Sequence, residues 1–444
     1  MQAVLLRQLQ GRLRLSAMLH GSSGRLQWLA GCRLVHSLGP GPDRLLAATS
    51  MTSSLPHQPV VRREVKHSEH DFPVKSVWSL IQETPSRCPD RVALGIKREG
   101  VWVKWTYRQY LQDISAVAKA FLKLGLKQHH AVCILGFNSP EWFISDIAAV
   151  VAGGLATGIY TTNSPQAVQY VAKHSRANIM VVADEEQLEK VLEVREQLDD
   201  LVAIVQYSGE VREAGVLSWQ QLLELGRAEG EEGLEERLRD QAVNQACMLV
   251  YTSGTTGNPK AAMISQDNLT WTVEVAKRQY GWREDQEESV TYLPLSHIAG
   301  QFIDIFIPYL AGGTVWFADK DALKGSLVNT LVEVRPTRFL GVPRVWEKIQ
   351  ERLLEVGKQN KGLKKNVADW AKSAAFSHHE ERMAGRPGNS WSYRVARKLV
   401  LGRVHAALGL ERACGPHGGI YSSAAPLSVQ TFQYFQVTGR VRSS

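Results

Sequence analysis

The stretch YTSGTTGNPK, Tyr251 to Lys260, follows the apolar run Cys247 to Val250, and this order predicts a buried strand that ends in an exposed loop. Gly254 and Gly257 let backbone N–H groups turn towards a ligand. Thr252, Ser253, Thr255 and Thr256 add hydroxyl donors, and Lys260, which follows Asn258 and is stiffened by Pro259, adds a fixed positive charge. Such a loop suits a polyphosphate. A Walker-type loop is excluded, because that needs Gly directly before the Lys and Ser or Thr directly after it, where this chain has Pro259 and Ala261. The alternative is a solvent-exposed polar turn. Six consecutive hydroxyl and glycine residues with a Pro-stiffened lysine, straight after a buried strand, favour the phosphate reading.

The loop resembles the phosphate-binding signature of the adenylate-forming superfamily, which includes acyl-CoA synthetases, firefly-type luciferases and peptide-synthetase adenylation domains. Further blocks narrow the resemblance: Ser265 to Asn268 after the loop, YLPLSHIAGQ from Tyr292 to Gln301, DALKGSLVNTL from Asp321 to Leu331 and GVPRVWEKI from Gly341 to Ile349 are similar to the bubblegum-type long-chain acyl-CoA synthetases. The resemblance runs from about Val74 to about Val437. It implies an α/β fold, the large N-terminal domain of the adenylate-forming type, with mostly parallel, doubly wound sheets.

Length and composition agree with that fold. A chain of 444 residues with 44% hydrophobic content can bury a sizeable core. Five widely spaced cysteines without a CxxC pair indicate neither a disulfide framework nor a structural zinc site, and Cys133 and Cys247 lie in apolar runs, as small buried residues do. The net charge is +8, of which +5 falls within residues 1–50, which removes most of the case for a nucleic-acid surface. Arg7, Arg12, Arg14, Arg25, Arg33 and Arg44 against the single acid Asp43 give this leader the character of a mitochondrial transit peptide; an unstructured tail, or an upstream extension of a chain starting at Met51, is the equal alternative. No uninterrupted apolar run is long enough to span a bilayer, so any membrane contact is expected to be peripheral. The expected location is cytoplasmic or on the surface of intracellular membranes, and mitochondrial if the leader acts as a transit peptide.

Residues 51–73 read as a linker and 74–437 as the AMP-binding domain. Val77, Leu80 and Ile81 have helical spacing, a loop is expected from Thr84 to Arg91, and Val101, Val103 and Trp105 alternate as a strand. Tyr107 to Leu124 is helical with Gly125 as its stop, Ala131 to Phe137 is a strand, and Pro140 to Ala152 is a helix capped by Ser139. Strands at Ile179 to Ala183 and Leu201 to Tyr207 flank the helix Glu185 to Gln197, which predicts a parallel sheet with crossover helices. Leu217 to Leu238 reads as one charged helix. Beyond the loop, helices are expected at Asn268 to Tyr280, Ile298 to Leu310, from Asp321 as a cap to Val334, and from Pro343 to Val356, with strands at Ser289 to Leu293 and Thr314 to Phe317.

The resemblance also assigns roles. Thr252 through Lys260 would wrap the β- and γ-phosphates of ATP, a fatty carboxylate would attack the α-phosphate to give an acyl-adenylate and pyrophosphate, and the thiol of CoA would then displace AMP. His297 would position substrate between the acyl carboxylate and the adenylate; considered alone, a histidine there is more often a core or capping residue. Gly341 to Trp346, with Gly341, Val342 and Pro343 as the substrate-binding residues, would belong to the wall of a fatty-acyl tunnel; alternatively Val342, Val345 and Trp346 are simply core at a helix start. Ala424, Ala425 and Pro426, within YSSAAPL from Tyr421 to Leu427, would pack on the adenine. Two departures stand out: Ala261 and Ser423 each replace a glycine usual in the family, and Ala261 would be strained if its φ were positive. The adjacent pairs His129/His130 and His378/His379 do not share a face, so they predict solvated loop residues rather than a metal site. The family's next motif supplies a Glu that helps hold Mg²⁺, followed by a ribose-binding Asp, a hinge and a C-terminal lid; none of these is found before Ser444, and residues 438–444 read as an atypical tail. Two functions follow as expectations: a long-chain fatty acid to CoA ligase, or a silent form that binds only nucleotide, acyl ligand or a protein partner. An incomplete core would also leave a strand edge open after Leu427.

Overall fold

Strand and helix signals alternate from Val92 onwards, and the structure, a computed structural model, gathers them into two sheets. It describes residues 42–62, 71–252, 258–359, 361–386, 391–423, 425–438 and 441–443. Most of the leader, Ser253 to Gly257, Ala424 and part of the Gly/Pro turn near 387–390 therefore lie outside the described residues. In chain order the strands are β1 (Val92–Arg98), β2 (Val101–Thr106), β3 (Ala131–Leu135), β4 (Leu155–Ile159), β5 (Ile179–Val182), β6 (Ala203–Gln206), β7 (Val216–Ser218), β8 (Ala246–Thr252), β9 (Lys260–Ser265), β10 (Glu288–Thr291), β11 (Thr314–Phe317), β12 (Arg338–Gly341), β13 (Gly419–Ser422) and β14 (Val441–Ser443). Among the described residues the first sheet has the order β14-β13-β12-β10-β11-β1-β2 and the second β7-β6-β5-β3-β4-β8-β9. Pairing is parallel except in the hairpins β1/β2 and β8/β9 at the ends of the sheets. The expected α/β, mostly parallel architecture is what forms.

One helix organises the core. Pro140–Val151 is buried at every position, its first turn held by Ser139, whose hydroxyl accepts from the N–H of Trp142, and by Pro140 at a position that needs no donor. Such a helix, mostly apolar and buried on every side, Glu141, Ser145 and Asp146 included, has to be covered all round. Val132, Ile134, Ile179 and Val181 from the second sheet and Leu94, Val315 and Phe317 from the first join it in one cluster, together with the helix Tyr107–Lys123. Alternate residues of the same strands, Ala131, Cys133, Leu135, Met180 and Val182, fill a second cluster on the other face, as the period of two requires. A third cluster, with Phe339, Trp346, Ile420 and Phe435, covers the first sheet near β10, β12 and β13.

Several segments depart from the sequence reading. The helix Val77–Arg87 runs through the expected loop at Thr84, because Thr84 and Pro85 are buried and the Thr84 hydroxyl donates to the Tyr309 carbonyl at 2.8 Å. Val101 and Val103 face outwards, 66% and 37% exposed, because β2 is an edge strand. The single helix expected over Leu217 to Leu238 is the strand β7 and two helices, Trp219–Ala228 and Glu232–Asp240, the first started by a capping box from Ser218 and Gln221. Asp321 does not cap a long helix: Asp319 Oδ1 accepts from the Ser326 hydroxyl and the Asp321 N–H, closing a turn before Leu327–Val334. The helix Leu363–Met383 was not expected, and it corrects the histidine reading: His378 lies inside it, buried and stacked on Tyr393 with ring centroids 3.9 Å apart. His130 is likewise buried, its Nδ1 3.0 Å from the Arg176 carbonyl.

Two chain segments outside the expected domain core are tied to it. In the stretch read as leader and linker, Arg44 donates to the Gln241 and Asp240 carbonyls, and Asn244 bonds both Leu46 and Val60. At the other end, β14 pairs with β13 in parallel and is the outermost strand of the first sheet, so an edge after Leu427 lies at β14 rather than at β13.

Candidate active site

The chain's polar motifs converge because of strand order. In the first sheet β13, β12 and β10 are neighbours and run parallel, Gly341 registering with Ser422 and Ser289 with Arg338. Their carboxyl ends therefore deliver YSSAAPL, GVPRVW and YLPLSH to one edge of the sheet. In the second sheet β4 and β8 are neighbours and parallel, so Tyr160 and Thr252 leave adjacent strands in the same direction. Ligand sites in parallel sheets form beyond such carboxyl ends.

A cleft of about 420 Å³ opens there, lined by Tyr160, Leu293, Pro294, His297, Ala299, Gly300, Leu323, Val342, Arg344, Val345 and Lys348. Of the residues given individual site roles it brings together His297 and Val342, and its lining includes none of the others among the described residues. His297 caps a short helical turn, its Nδ1 accepting from the Ala299 N–H at 3.1 Å, so Nε2 is the ring nitrogen left for a ligand. The capping and substrate-positioning readings of this residue are thus compatible. Gly341 faces the core instead: a Cβ there would stand 2.5 Å from the Trp346 ring, whose Nε1 donates to the Gly341 carbonyl at 3.0 Å. Pro343 opens the helix Pro343–Lys358 at its first position. Arg344 and Val345 fall within the expected Gly341 to Trp346 stretch and line the cleft, while Lys348 was missed; its place four residues after Arg344 on the same helix was the available signal.

The loop carrying His297 is fixed by contacts between the sheets. Gly158 of β4 permits it, since a Cβ there would lie 2.7 Å from Ser296 Cα. Asn138, just after β3, donates to Thr291 Oγ1 at 2.6 Å and to the Leu293 carbonyl at 2.9 Å, and the Thr291 hydroxyl donates to Asp304 Oδ2 at 2.8 Å. Burial pushes the Asp304 carboxyl up to about 7.

On either side of the glycine- and hydroxyl-rich stretch, of which residues 253–257 lie outside the described residues, β8 and β9 pair as antiparallel neighbours, β9 being a strand beyond the sequence expectation. Thr252 ends β8, Lys260 begins β9 directly opposite it, and Ala261 pairs with Tyr251. Ala261 is therefore extended and has no positive φ, which removes the strain that glycine would have relieved. The helix Pro165–His174 holds both sides of the turn. The Tyr170 hydroxyl donates to the Pro259 carbonyl at 3.0 Å, His174 Nδ1 and the Tyr251 hydroxyl are 2.8 Å apart, and the Tyr170 and His174 rings stack. Ala425 and Pro426 follow β13 in exposed chain. Among the described residues no group of three or more His, Cys, Asp or Glu side chains could hold a metal ion.

A Gly/Ser/Thr hairpin and an apolar cleft, both at the carboxyl ends of mostly parallel sheets, are the arrangement of the large domain of adenylate-forming enzymes. The AMP-binding enzyme family matches residues 81–442, and the chain belongs to that family. It is 46% identical to the long-chain-fatty-acid–CoA ligase ACSBG2 of Xenopus laevis over 82% of its own length and 49% of the relative's. It is 48% identical to ACSBG2 of Gallus gallus over 81% of this chain and 48% of that one, so it spans about half the length of the curated relatives it matches. The adenylation domain of the carboxylate reductase from Mycobacterium chelonae shares the fold, with a TM-score of 0.59 and 19% identity over 84% of this chain and 57% of that one.

Proposed function

We propose that this chain activates a long-chain fatty acid with ATP and transfers it to CoA. The observation that carries the reading is the apolar cleft in which His297 and Val342 meet, beside β4 and thus next to the strand that leads into the phosphate-type hairpin. A fatty carboxylate entering the cleft presents its oxygen to the α-phosphorus of ATP. The new acyl–phosphate bond forms as the bond to the β-phosphate oxygen breaks, and pyrophosphate leaves. The thiolate of CoA then attacks the acyl carbonyl, and AMP leaves with the bonding electrons.

The side chains divide this work electrostatically. Lys260 stands at the base of the hairpin, where its charge offsets that of the β- and γ-phosphates, while the backbone donors and hydroxyls from Thr252 to Asn258 supply hydrogen bonds. His297, its Nδ1 already occupied by the Ala299 N–H, directs Nε2 at the carboxylate end of the acyl group. Val342, Val345 and Leu293 give the acyl chain an apolar wall, each methylene buried there contributing roughly 0.8 kcal/mol. Ala425 and Pro426 are small enough for close approach of an adenine. Mg²⁺, which this chemistry implies, is usually held by substrate phosphates with one or two carboxylates rather than by an all-protein cage.

The test is ATP binding and palmitoyl-CoA formation by the purified chain with Mg²⁺, CoA and palmitate, beside Lys260→Ala. Product formation that Lys260→Ala abolishes supports ligation. Nucleotide binding that Lys260→Ala weakens, without product, supports instead a chain that binds ligand without turnover. Binding and product unaffected by Lys260→Ala would remove the hairpin from the mechanism.

A further inference from the structure

The helix Leu363–Met383 packs through Ala371 and Ala375, both fully buried, yet leaves an apolar stripe uncovered beside them. Leu363, Val367 and Trp370 follow one another at spacings of four and three residues, on one side of the helix, and are 79%, 38% and 38% exposed. Lys361, Lys364 and Lys365 stand at the start of the same helix, all exposed and with no ion pair among the described residues. We propose that this end of the helix docks on the surface of an anionic phospholipid bilayer.

The chemistry selects that occupant. Aliphatic side chains with a tryptophan enter the boundary between headgroups and acyl chains, where an indole places its ring in apolar surroundings and its N–H in water. Unpaired lysines beside them are attracted by the negative surface potential of anionic lipid. A nucleic-acid backbone would satisfy the lysines but leave Leu363 and Val367 in water. No helix among the described residues is long and apolar enough to cross a membrane, so the contact is interfacial. The helix Pro343–Lys358, which precedes this one, carries Arg344 and Lys348 at the cleft and Leu354 and Val356 exposed towards its other end. From Lys348 to Val356 is about 12 Å along a helix axis. If the cleft takes a fatty acid, as proposed above, docking would place it near the bilayer in which such acids dissolve; the docking itself does not depend on that reading.

The experiment is flotation of the full chain with vesicles of phosphatidylcholine containing phosphatidylserine, and with phosphatidylcholine alone. The native chain is expected to float with the anionic vesicles and much less with the neutral ones. L363E/W370E and K361E/K364E/K365E should each lower the bound fraction by roughly tenfold or more, and K361R/K364R/K365R should retain it. Circular dichroism of every variant separates lost binding from lost fold. Failure of the native chain to float overturns the proposal. So does undiminished flotation of either glutamate variant, which would assign binding to another surface such as the arginine-rich leader. Self-association of the native chain that L363E/W370E abolishes, without flotation, would make the stripe a protein interface and overturn it equally.

Discussion

Tyr170→Phe tests whether the phosphate-type hairpin is held in place from outside. The substitution removes one hydroxyl and keeps the ring stacked on His174, so what it deletes is the 3.0 Å bond to the Pro259 carbonyl. A neutral, partly buried hydrogen bond contributes about 0.5–1.5 kcal/mol net. The other side of the turn stays anchored through His174 and Tyr251, so the hairpin keeps its register and loses only the restraint next to Lys260. If that restraint fixes the turn in its nucleotide-binding form, the whole amount appears in affinity, a rise in the Kd for ATP of about 2- to 12-fold. Calorimetric titration of the full chain with ATP reads the effect, and a thermal melt of the same sample reads stability. The expected result is weakened binding with a melting temperature within a few degrees of the native value. Unchanged Kd with a lowered melting temperature would show the bond to be structural only, and the reasoning about the hairpin would fail.

Three further outcomes follow from the packing. Burial raises the Asp146 carboxyl from its ordinary 3.8 to about 8, and neither oxygen has a hydrogen-bond partner among the described residues. Between those values the folded chain holds a proton that the unfolded chain has lost, so stability falls as pH rises from about 4 to about 8; Asp146→Asn should flatten that slope in melts taken across the range, and parallel slopes would refute the assignment. Gly158→Ala forces a methyl against Ser296 and should cost about 1–3 kcal/mol while weakening acyl-ligand binding in a fluorescent fatty-acid displacement assay; unaltered binding would mean that the His297 loop adjusts freely. Trp346→Ala opens the cluster with Phe339 and Phe435 and should lower unfolding free energy by about 3–5 kcal/mol in denaturant titration, with a smaller loss counting against its core role.

How far such a site can be read before folding depends on the range of the forces that build it. Ser139 with Pro140, Gly125 at its positive φ and Pro343 at a helix start act within a few residues, and each marks a boundary that sequence alone locates. The strand β9 is legible only through its pairing with β8, because AAMI after Lys260 is too short to declare itself. The same limit hid the cleft residues Tyr160 and Lys348, which matter only once β4 is set beside β8 and β12 beside β10. Motif residues behave differently. His297 and Val342 are 45 positions apart and meet because parallel strands carry both loops to one edge. Gly341, which the same motif presents as a wall of the acyl site, serves that site from behind by admitting the Trp346 ring. A motif therefore records which residues a site requires, while strand order decides which of them face the ligand and which hold those that do.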